Sequence, residues 1–166
     1  MRKSITLDYI KGFADGEGHI SAKGRHIQIS NTELSILEEI RQILKNNGID
    51  SSIQNVKSYV DSNKKSYRLV ISGFWNIAKY AKLIGFSIPY KNKELRNYLH
   101  HMMRDGTMRK LKDYDFFVSN SEMPVTKMAR HFGVSLSVMQ RRKLRWEITP
   151  EQRSILEWVE EELKIR

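Results

Sequence analysis

The sequence of 166 residues contains no cysteine and only 3 prolines. Without cysteine, the chain can form neither a disulfide bond nor a thiolate-bound metal site. No apolar run approaches the roughly 20 residues that cross a bilayer, and the N-terminal MRKSITLDYIKGF lacks the apolar stretch of a secretory signal. We therefore expect no membrane partner and an intracellular protein, located in the cytoplasm, the nucleoid or an organelle.

Acidic residues are also scarce relative to basic ones. The chain carries 29 lysine and arginine residues against 19 aspartate and glutamate residues, which gives a formal net charge of +10. Residues 1–113 hold 20 of the basic and 11 of the acidic residues, whereas residues 114–166 hold 9 and 8. A surplus of this size favours a polyanionic partner, nucleic acid before a membrane surface.

Hydrophobic periodicity predicts an α+β fold. Helical and alternating segments follow one another in the order α-β-β-α-β-β-α-α over residues 1–105. The last third of the chain shows helical patterns and no clear strands. We expect two domains, residues 1–112 and residues 113–166, of which the second is a helical module.

The segment GFADGEG, Gly12 to Gly18, closes the first predicted helix. Gly12 and Gly16 share one helix face, and small residues there allow a second helix to approach closely. Two copies packed in this way bring Glu17 close to its counterpart, and Mg²⁺ between the carboxylates and substrate phosphate oxygens would relieve their repulsion. The alternative for an isolated D-G-E-G is a solvent-exposed turn.

The nine residues from Ile10 to Gly18 resemble the signature of the LAGLIDADG homing endonucleases. The predicted α-β-β-α-β-β-α order is similar to the core of that family, and NTELSILEEIRQIL and PYKNKELRNYL stand where the family has its second helix and its basic segment. The resemblance implies a saddle of four antiparallel strands on DNA, with helices behind it. One motif per chain implies a homodimer. Its predicted interface residues are Gly12, Phe13, Asp15 and Gly16. Asp15 matches the first acid of the motif, whose role is more structural, at the helix end or the interface.

The same resemblance implies an active site at the motif. Glu17 matches the acid that binds the metal, Mg²⁺ with Mn²⁺ as a substitute, and Gly16 supplies a backbone carbonyl to it. Lys91 matches a lysine at the active-site edge that stabilises phosphate charge, with Lys93 as the neighbouring candidate and a solvent-exposed lysine as the alternative. Asn31 resembles a residue that orients water, and its alternative role is the N-cap of the next helix. Lys11 replaces the small residue usual at its place, so its side chain must point away from a helix seam.

Strand alternation predicts a DNA-binding surface on the face of the sheet opposite the helices. A two-stranded ribbon fits the major groove, where arginine and glutamine pair with bases, while lysines at turns meet phosphates. The predicted contact residues are Ser21, Lys23, Arg25, His26, Gln28, Ser30, Lys57, Lys64, Lys65, Arg68, Val70 and Ser72. For each of them the alternative is an ordinary solvent-exposed strand position.

The helical module contains a pattern typical of a helix-turn-helix. Ala129, Gly133 and Met139 have the spacing of its small, turn and apolar positions, and the second helix of such a motif enters a DNA groove. The alternative is a packing module with a basic surface. The residues of the second helix predicted to bind DNA are Arg141, Arg142 and Lys143.

Together these features predict a homodimeric, Mg²⁺-dependent, site-specific endonuclease. It would hydrolyse phosphodiester bonds in both strands of a long, near-palindromic site in double-stranded DNA, and the resemblance implies an intron or intein reading frame. One alternative is a DNA-binding regulator without cleavage activity, which the retained Glu17 argues against. Another is a maturase that binds intron RNA, because the same basic surface suits RNA.

Overall fold

The structure is a computed structural model that describes residues 5–21, 25–57, 65–103, 116, 119–120, 122–146 and 149–163. The helices in these ranges are α1 (Leu7–Glu17), α2 (Leu34–Asn46), α3 (Phe74–Leu83), α4 (Pro89–Met102), α5 (Val125–His131), α6 (Leu136–Trp146) and α7 (Pro150–Leu163). The strands are β1 (Gly18–Ser21), β2 (His26–Asn31), β3 (Ser52–Lys57) and β4 (Lys65–Ser72). The predicted α+β class and the order of the elements up to α4 are confirmed.

The strands form one antiparallel sheet in the order β1-β2-β4-β3. Its register places Ile27 opposite both Ile20 and Ile71, and Ile29 opposite Leu69. All five of these side chains are buried, so one face of the sheet is apolar and packs in the core. The residues between them therefore lie on the opposite face, as their alternation predicts.

The helices supply the other side of this core. Helix α1 begins after Thr6, whose Oγ1 accepts a hydrogen bond from the backbone N–H of Tyr9 at 3.2 Å. Its Ile10 and Ala14 are fully buried, as are Leu37 on α2 and Ile77 on α3. None of the helices in the described ranges has both the length and the apolarity needed to cross a bilayer.

Helix α1 passes into β1 without a connecting residue. Gly18 is both the C-cap of α1 and the first residue of β1. Its backbone N–H donates a hydrogen bond to the carbonyl oxygen of Ala14. A Cβ atom added to Gly18 would overlap that carbonyl oxygen, whereas one added to Gly12 meets no atom within 4 Å. Close backbone approach, rather than an unusual φ angle, is therefore what requires glycine at position 18.

The described chain divides into two compact units. The first comprises the residues up to Leu99 together with those from Ile155 onwards, and the second runs from His100 to Ser154. Residues Ile155, Leu156 and Val159 of α7 are buried. The last helix thus contributes most of its length to the first unit, and the predicted boundary at residue 112 stays a prediction.

In the second unit, α5 and α6 pack on a small core of Met128, Ala129 and Met139. Gly133 ends the turn after α5 with φ of 61°, a left-handed conformation that favours glycine. The Oγ of Ser135 accepts a hydrogen bond from the N–H of Val138 at 3.4 Å in the first turn of α6. Two short helices around a glycine turn are therefore present, as the sequence predicts.

The substitution Gly18→Ala should destabilise the first unit, because the new methyl group collides with backbone that cannot rotate away. We expect a loss of about 2 kcal/mol or more in the free energy of unfolding. Gly12→Ala, compared at a protein concentration at which the chain is monomeric, is the matched control and should raise stability by about 0.5–1 kcal/mol, since within one chain it meets no neighbour and favours the helix. Urea unfolding followed by circular dichroism measures both, and equal effects would contradict the close approach at Gly18.

Candidate functional site

The motif residues Gly16 and Glu17 lie at the exposed C-terminal end of α1. The last carbonyl groups of a helix have no partner within the helix, and the helix dipole makes this end attractive to cations. One carboxylate and one carbonyl are hard oxygen donors that suit Mg²⁺, which commonly combines one or two carboxylates with phosphate oxygens. Among the described residues, no group of three histidine, aspartate or glutamate side chains comes together. The two oxygen donors at the end of α1 belong to the adjacent residues Gly16 and Glu17.

The carboxylate of Asp15 binds the backbone in front of α4. Its Oδ1 and Oδ2 accept hydrogen bonds from the N–H of Ser87 at 2.9 and 3.2 Å, and Oδ1 accepts one from Ile88 at 3.4 Å. A negative charge at the N-terminal end of a helix interacts favourably with its dipole. Asp15, whose predicted role is a structural one at the helix end or the dimer interface, therefore joins the end of α1 to the backbone before α4; its place at a dimer interface stays a prediction.

Lys91 reaches back from α4 to the end of α1. Its Nζ donates to the carbonyl oxygen of Asp15 at 2.6 Å and to that of Ala14 at 3.3 Å. The side chain is 6% exposed, and Nζ lies 5.9 Å from the ring centroid of Phe86. Lys93 is exposed. Lys91 therefore lies beside the motif and is buried on backbone carbonyls, so the alternative of a solvent-exposed lysine is wrong. Its contact with phosphate stays a prediction.

Tyr80 of α3 lies in the same part of the core. Its ring packs against that of Phe86 with centroids 5.6 Å apart, and its hydroxyl group has no hydrogen-bond partner among the described residues. Burial, followed by the negative charge of Asp15, raises the pKa of Tyr80 above its ordinary value. The phenol therefore stays neutral and acts as an apolar wall beside Asp15.

Asn31 ends β2. Its Oδ1 accepts a hydrogen bond from the N–H of Glu33 at 2.8 Å, which forms the turn into α2. The N-cap of α2 is Glu33, so the N-cap alternative for Asn31 is wrong. Its role in orienting water stays a prediction.

One face of α1 is open. Added Cβ atoms at Gly12 and Gly16 meet nothing within 4 Å, and Tyr9 stacks on Phe13 with ring centroids 5.9 Å apart. Tyr9 is 44% exposed. Lys11 instead lines a cavity of about 340 Å³ together with residues of α3, α4 and α7. The unusual lysine therefore does not occupy the face that carries the two glycines.

The face of the sheet opposite the helices carries most of the predicted DNA-binding residues. The register places Gln28 opposite Val70, Ser30 opposite Arg68 and His26 opposite Ser72. Ser21 lies opposite His26 on β1, and Arg25 is exposed at the turn with φ of 54°. Lys65 is exposed and pairs with Lys57 at the far end of the sheet. Its alternation with Leu69 and Ile71 puts it on the other face, so it is a strand-end residue rather than part of the polar face. Lys23 and Lys64 lie outside the described residues.

Some residues of this polar face were not predicted, among them His19 and Gln54. His19 lies opposite Gln28, and Gln54 lies opposite Arg68. Extending the alternation back from Ile20 would have found His19, whereas Gln54 needs the β3–β4 register. The Nε of Arg68 is buried without a hydrogen-bond partner in the described ranges.

On α6 the predicted basic residues differ in exposure. Arg141 is exposed, while Arg142 and Lys143 are half-buried. Ser137 and Gln140, in the first turns of α6, are also exposed, and neither was among the predicted DNA-binding residues. Because recognition helices contact bases through their N-terminal residues, the spacing from Gly133 could have indicated both.

Comparison with known proteins assigns residues 4–85 to a family described as LAGLIDADG-like domain. The chain is 29% identical over 98 residues to the homing endonuclease I-ApeI of Aeropyrum pernix, a match covering 58% of this chain and 42% of that protein. It is 33% identical over 94 residues to a probable translation initiation factor IF-2 of Methanocaldococcus jannaschii, covering 56% of this chain and 8% of that protein. The chain thus spans less than half of the length of these relatives.

Among solved structures, the full-length DUF199/WhiA protein of Thermatoga maritima is similar, with a TM-score of 0.43 and 13% sequence identity. The match covers 93% of this chain and 63% of that structure.

Proposed function

We propose, from the membership of residues 4–85 in the LAGLIDADG-like domain family, that the chain is a site-specific DNA endonuclease. The observation that carries this proposal is the exposed carboxylate of Glu17 at the end of α1, directly next to the polar face of the sheet. An acid at the junction between a helix end and a base-reading strand is suited to hydrolysis of the DNA backbone. The similarity to a homing endonuclease supports the same activity.

The Glu17 carboxylate and the Gly16 carbonyl would hold Mg²⁺, with Mn²⁺ as a substitute. Such a metal beside a phosphodiester activates water and stabilises the leaving oxygen. The chain itself orients these oxygens, because α1 is fixed at its end by Asp15 and Lys91. Asn31, at the end of β2, is proposed to orient the attacking water.

A homodimer would complete the site. The open face of α1 carries Gly12 and Gly16, with Tyr9 and Phe13 stacked beside them. A second copy of the same helix packed there would bring its own Glu17 to the first. Two active sites would then cleave the two strands of a near-palindromic site in double-stranded DNA.

The polar face of the sheet is proposed to read bases in the major groove. Gln28 and Arg68 are the side chains whose donors and acceptors discriminate base pairs there. Serines and histidines around them can make further hydrogen bonds. We propose that the exposed lysines and arginines at the strand ends contact phosphates, which fixes the register of the protein on the duplex.

The second unit is proposed to extend the DNA contact. Helix α6 would enter a groove with its exposed N-terminal residues toward the bases. Arg141, the exposed cation of the three predicted there, would contact phosphate, with Arg142 and Lys143 in support.

Replacing the metal-binding acid should abolish cleavage without abolishing DNA binding. We expect Glu17→Gln to cut a randomised DNA library at least about 10³-fold more slowly than the wild type with Mg²⁺. Asp8→Asn, the same chemical change in the first turn of α1, should cut normally. Recurrent-site cleavage is read by sequencing the cut ends. Specific binding without cleavage by the wild type, even with Mn²⁺, would instead identify a non-cleaving regulator.

The proposed dimer interface on α1 predicts that dimer formation depends on the size of the side chain at position 12. Gly12→Leu should convert the dimer to a monomer in sedimentation experiments and stop double-strand cleavage, because leucine prevents close helix approach. Gly12→Ala should weaken association less. A wild-type protein that is monomeric both free and on DNA would contradict the homodimer.

The proposed phosphate contact of α6 predicts that removing its exposed arginine lowers the affinity for DNA regardless of the DNA sequence. Arg141→Ala should weaken binding to all DNA sequences to a similar extent and reduce the slope of log K against log salt by about 1. Arg41→Ala, on the exposed side of α2, removes the same charge and is the control. Equal behaviour of the two variants would show that α6 does not contact phosphate.

A further inference from the structure

In the first unit, two helix ends exchange charged side chains, which means that each end provides a charged side chain that binds backbone atoms of the other. Asp15, near the end of α1, accepts hydrogen bonds from the backbone N–H groups of Ser87 and Ile88 before α4. Lys91, in the first turn of α4, donates to the carbonyls of Ala14 and Asp15 on α1. Each charge lies at the helix end whose dipole has the opposite sign. The two contacts together fix the end of α1 against the start of α4.

The exchange also determines which carbonyls of α1 remain available. The Ala14 oxygen receives the N–H of Gly18 and the Nζ of Lys91, and the Asp15 oxygen receives the same Nζ at 2.6 Å. A divalent cation cannot share these oxygens with an ammonium group, because like charges at such distances repel strongly. The next carbonyl along the chain belongs to Gly16, which is exposed and adjacent to Glu17.

We propose that Lys91 is a positioning residue that confines the divalent cation to the Gly16 carbonyl and the Glu17 carboxylate by occupying the Asp15 carbonyl. The inference rests on the metal site of the proposed function and gives Lys91 a different task from phosphate contact. With 6% of its surface exposed and its ammonium group on backbone oxygens, Lys91 acts through the carbonyls of α1. Lys93, exposed two residues further along α4, provides a control of equal charge.

The test is a Mg²⁺ titration of the full chain followed by HNCO spectra, which report each backbone carbonyl separately. In the wild-type protein, we expect Mg²⁺ to shift the Gly16 carbonyl and its neighbours at Glu17 while the Asp15 carbonyl stays unchanged. A Mg²⁺-dependent shift of the Asp15 carbonyl in the wild type would overturn the proposal without any variant.

Lys91→Met removes the charge and nearly conserves side-chain volume. We expect the Mg²⁺-dependent shifts to extend to the Asp15 carbonyl, while cleavage at saturating Mg²⁺ falls by about tenfold or more. Lys91→Arg should restore the confined pattern, and Lys93→Met should leave it unchanged. If Lys91→Met does not fold, Lys91→Gln replaces it, because its amide can still donate to one carbonyl without charge.

The outcomes separate this inference from the proposed function. Loss of cleavage in Lys91→Met or Lys91→Gln with an unchanged, confined shift pattern would overturn the positioning role and favour direct contact with phosphate. If Mg²⁺ shifts neither Gly16 nor Glu17 in the wild type, with or without DNA, the metal site itself is wrong and the inference fails with it. Mg²⁺-dependent shifts that are confined to Gly16 and Glu17 in the wild type, and that extend to the Asp15 carbonyl in the uncharged variant, support both the proposed metal site and the positioning role of Lys91.

Discussion

The end of α1 depends on one electrostatic exchange, between Asp15 and the amides before α4 on one side and Lys91 and the carbonyls of α1 on the other. A buried lysine without compensation would be costly, and here the helix end provides that compensation. On the lysine side, Nζ of Lys91 lies 5.9 Å from the ring centroid of Phe86, which packs against Tyr80, so an aromatic face adds a favourable contact to the ammonium group. Because the exchange joins residues more than seventy positions apart, the geometry of the motif depends on the whole first unit being folded.

The other proposed functional surfaces adjoin this end of α1 on two sides. Toward the solvent, α1 presents a face with two exposed glycines beside the stacked and partly exposed rings of Tyr9 and Phe13. Along the chain, α1 runs directly into β1, so the acidic end of the helix and the polar face of the sheet are rigidly related. The proposed metal site and the proposed dimer interface thus lie on α1, and the proposed base-reading surface begins on the strand that follows it directly.

Local patterns were enough to predict the elements, because alternation in β2 and β4 and helical periodicity in α1 and α2 reflect burial on one face. They also placed Glu17 at a helix end and Gln28 on the polar face of the sheet. The environment of Lys91 could not be predicted in this way, since its burial follows from how α4 packs against α1. The same holds for Gln54, which requires the pairing of β3 with β4, and for α7, whose apolar residues do not reveal which unit they join.

The direct passage from α1 into β1 has a consequence for altering specificity. Successive residues of a strand advance by about 3.3 Å, so Ser21 stands at a set offset from Glu17 with no intervening loop to absorb a change. Under the proposed endonuclease function, substitutions on the polar face would therefore change the preferred bases while the position of Glu17 relative to β1 stays the same. An inserted residue between positions 17 and 21 would instead move the following side chains of β1 to the opposite face of the sheet. The proposed base contacts would then no longer stand at a fixed offset from Glu17.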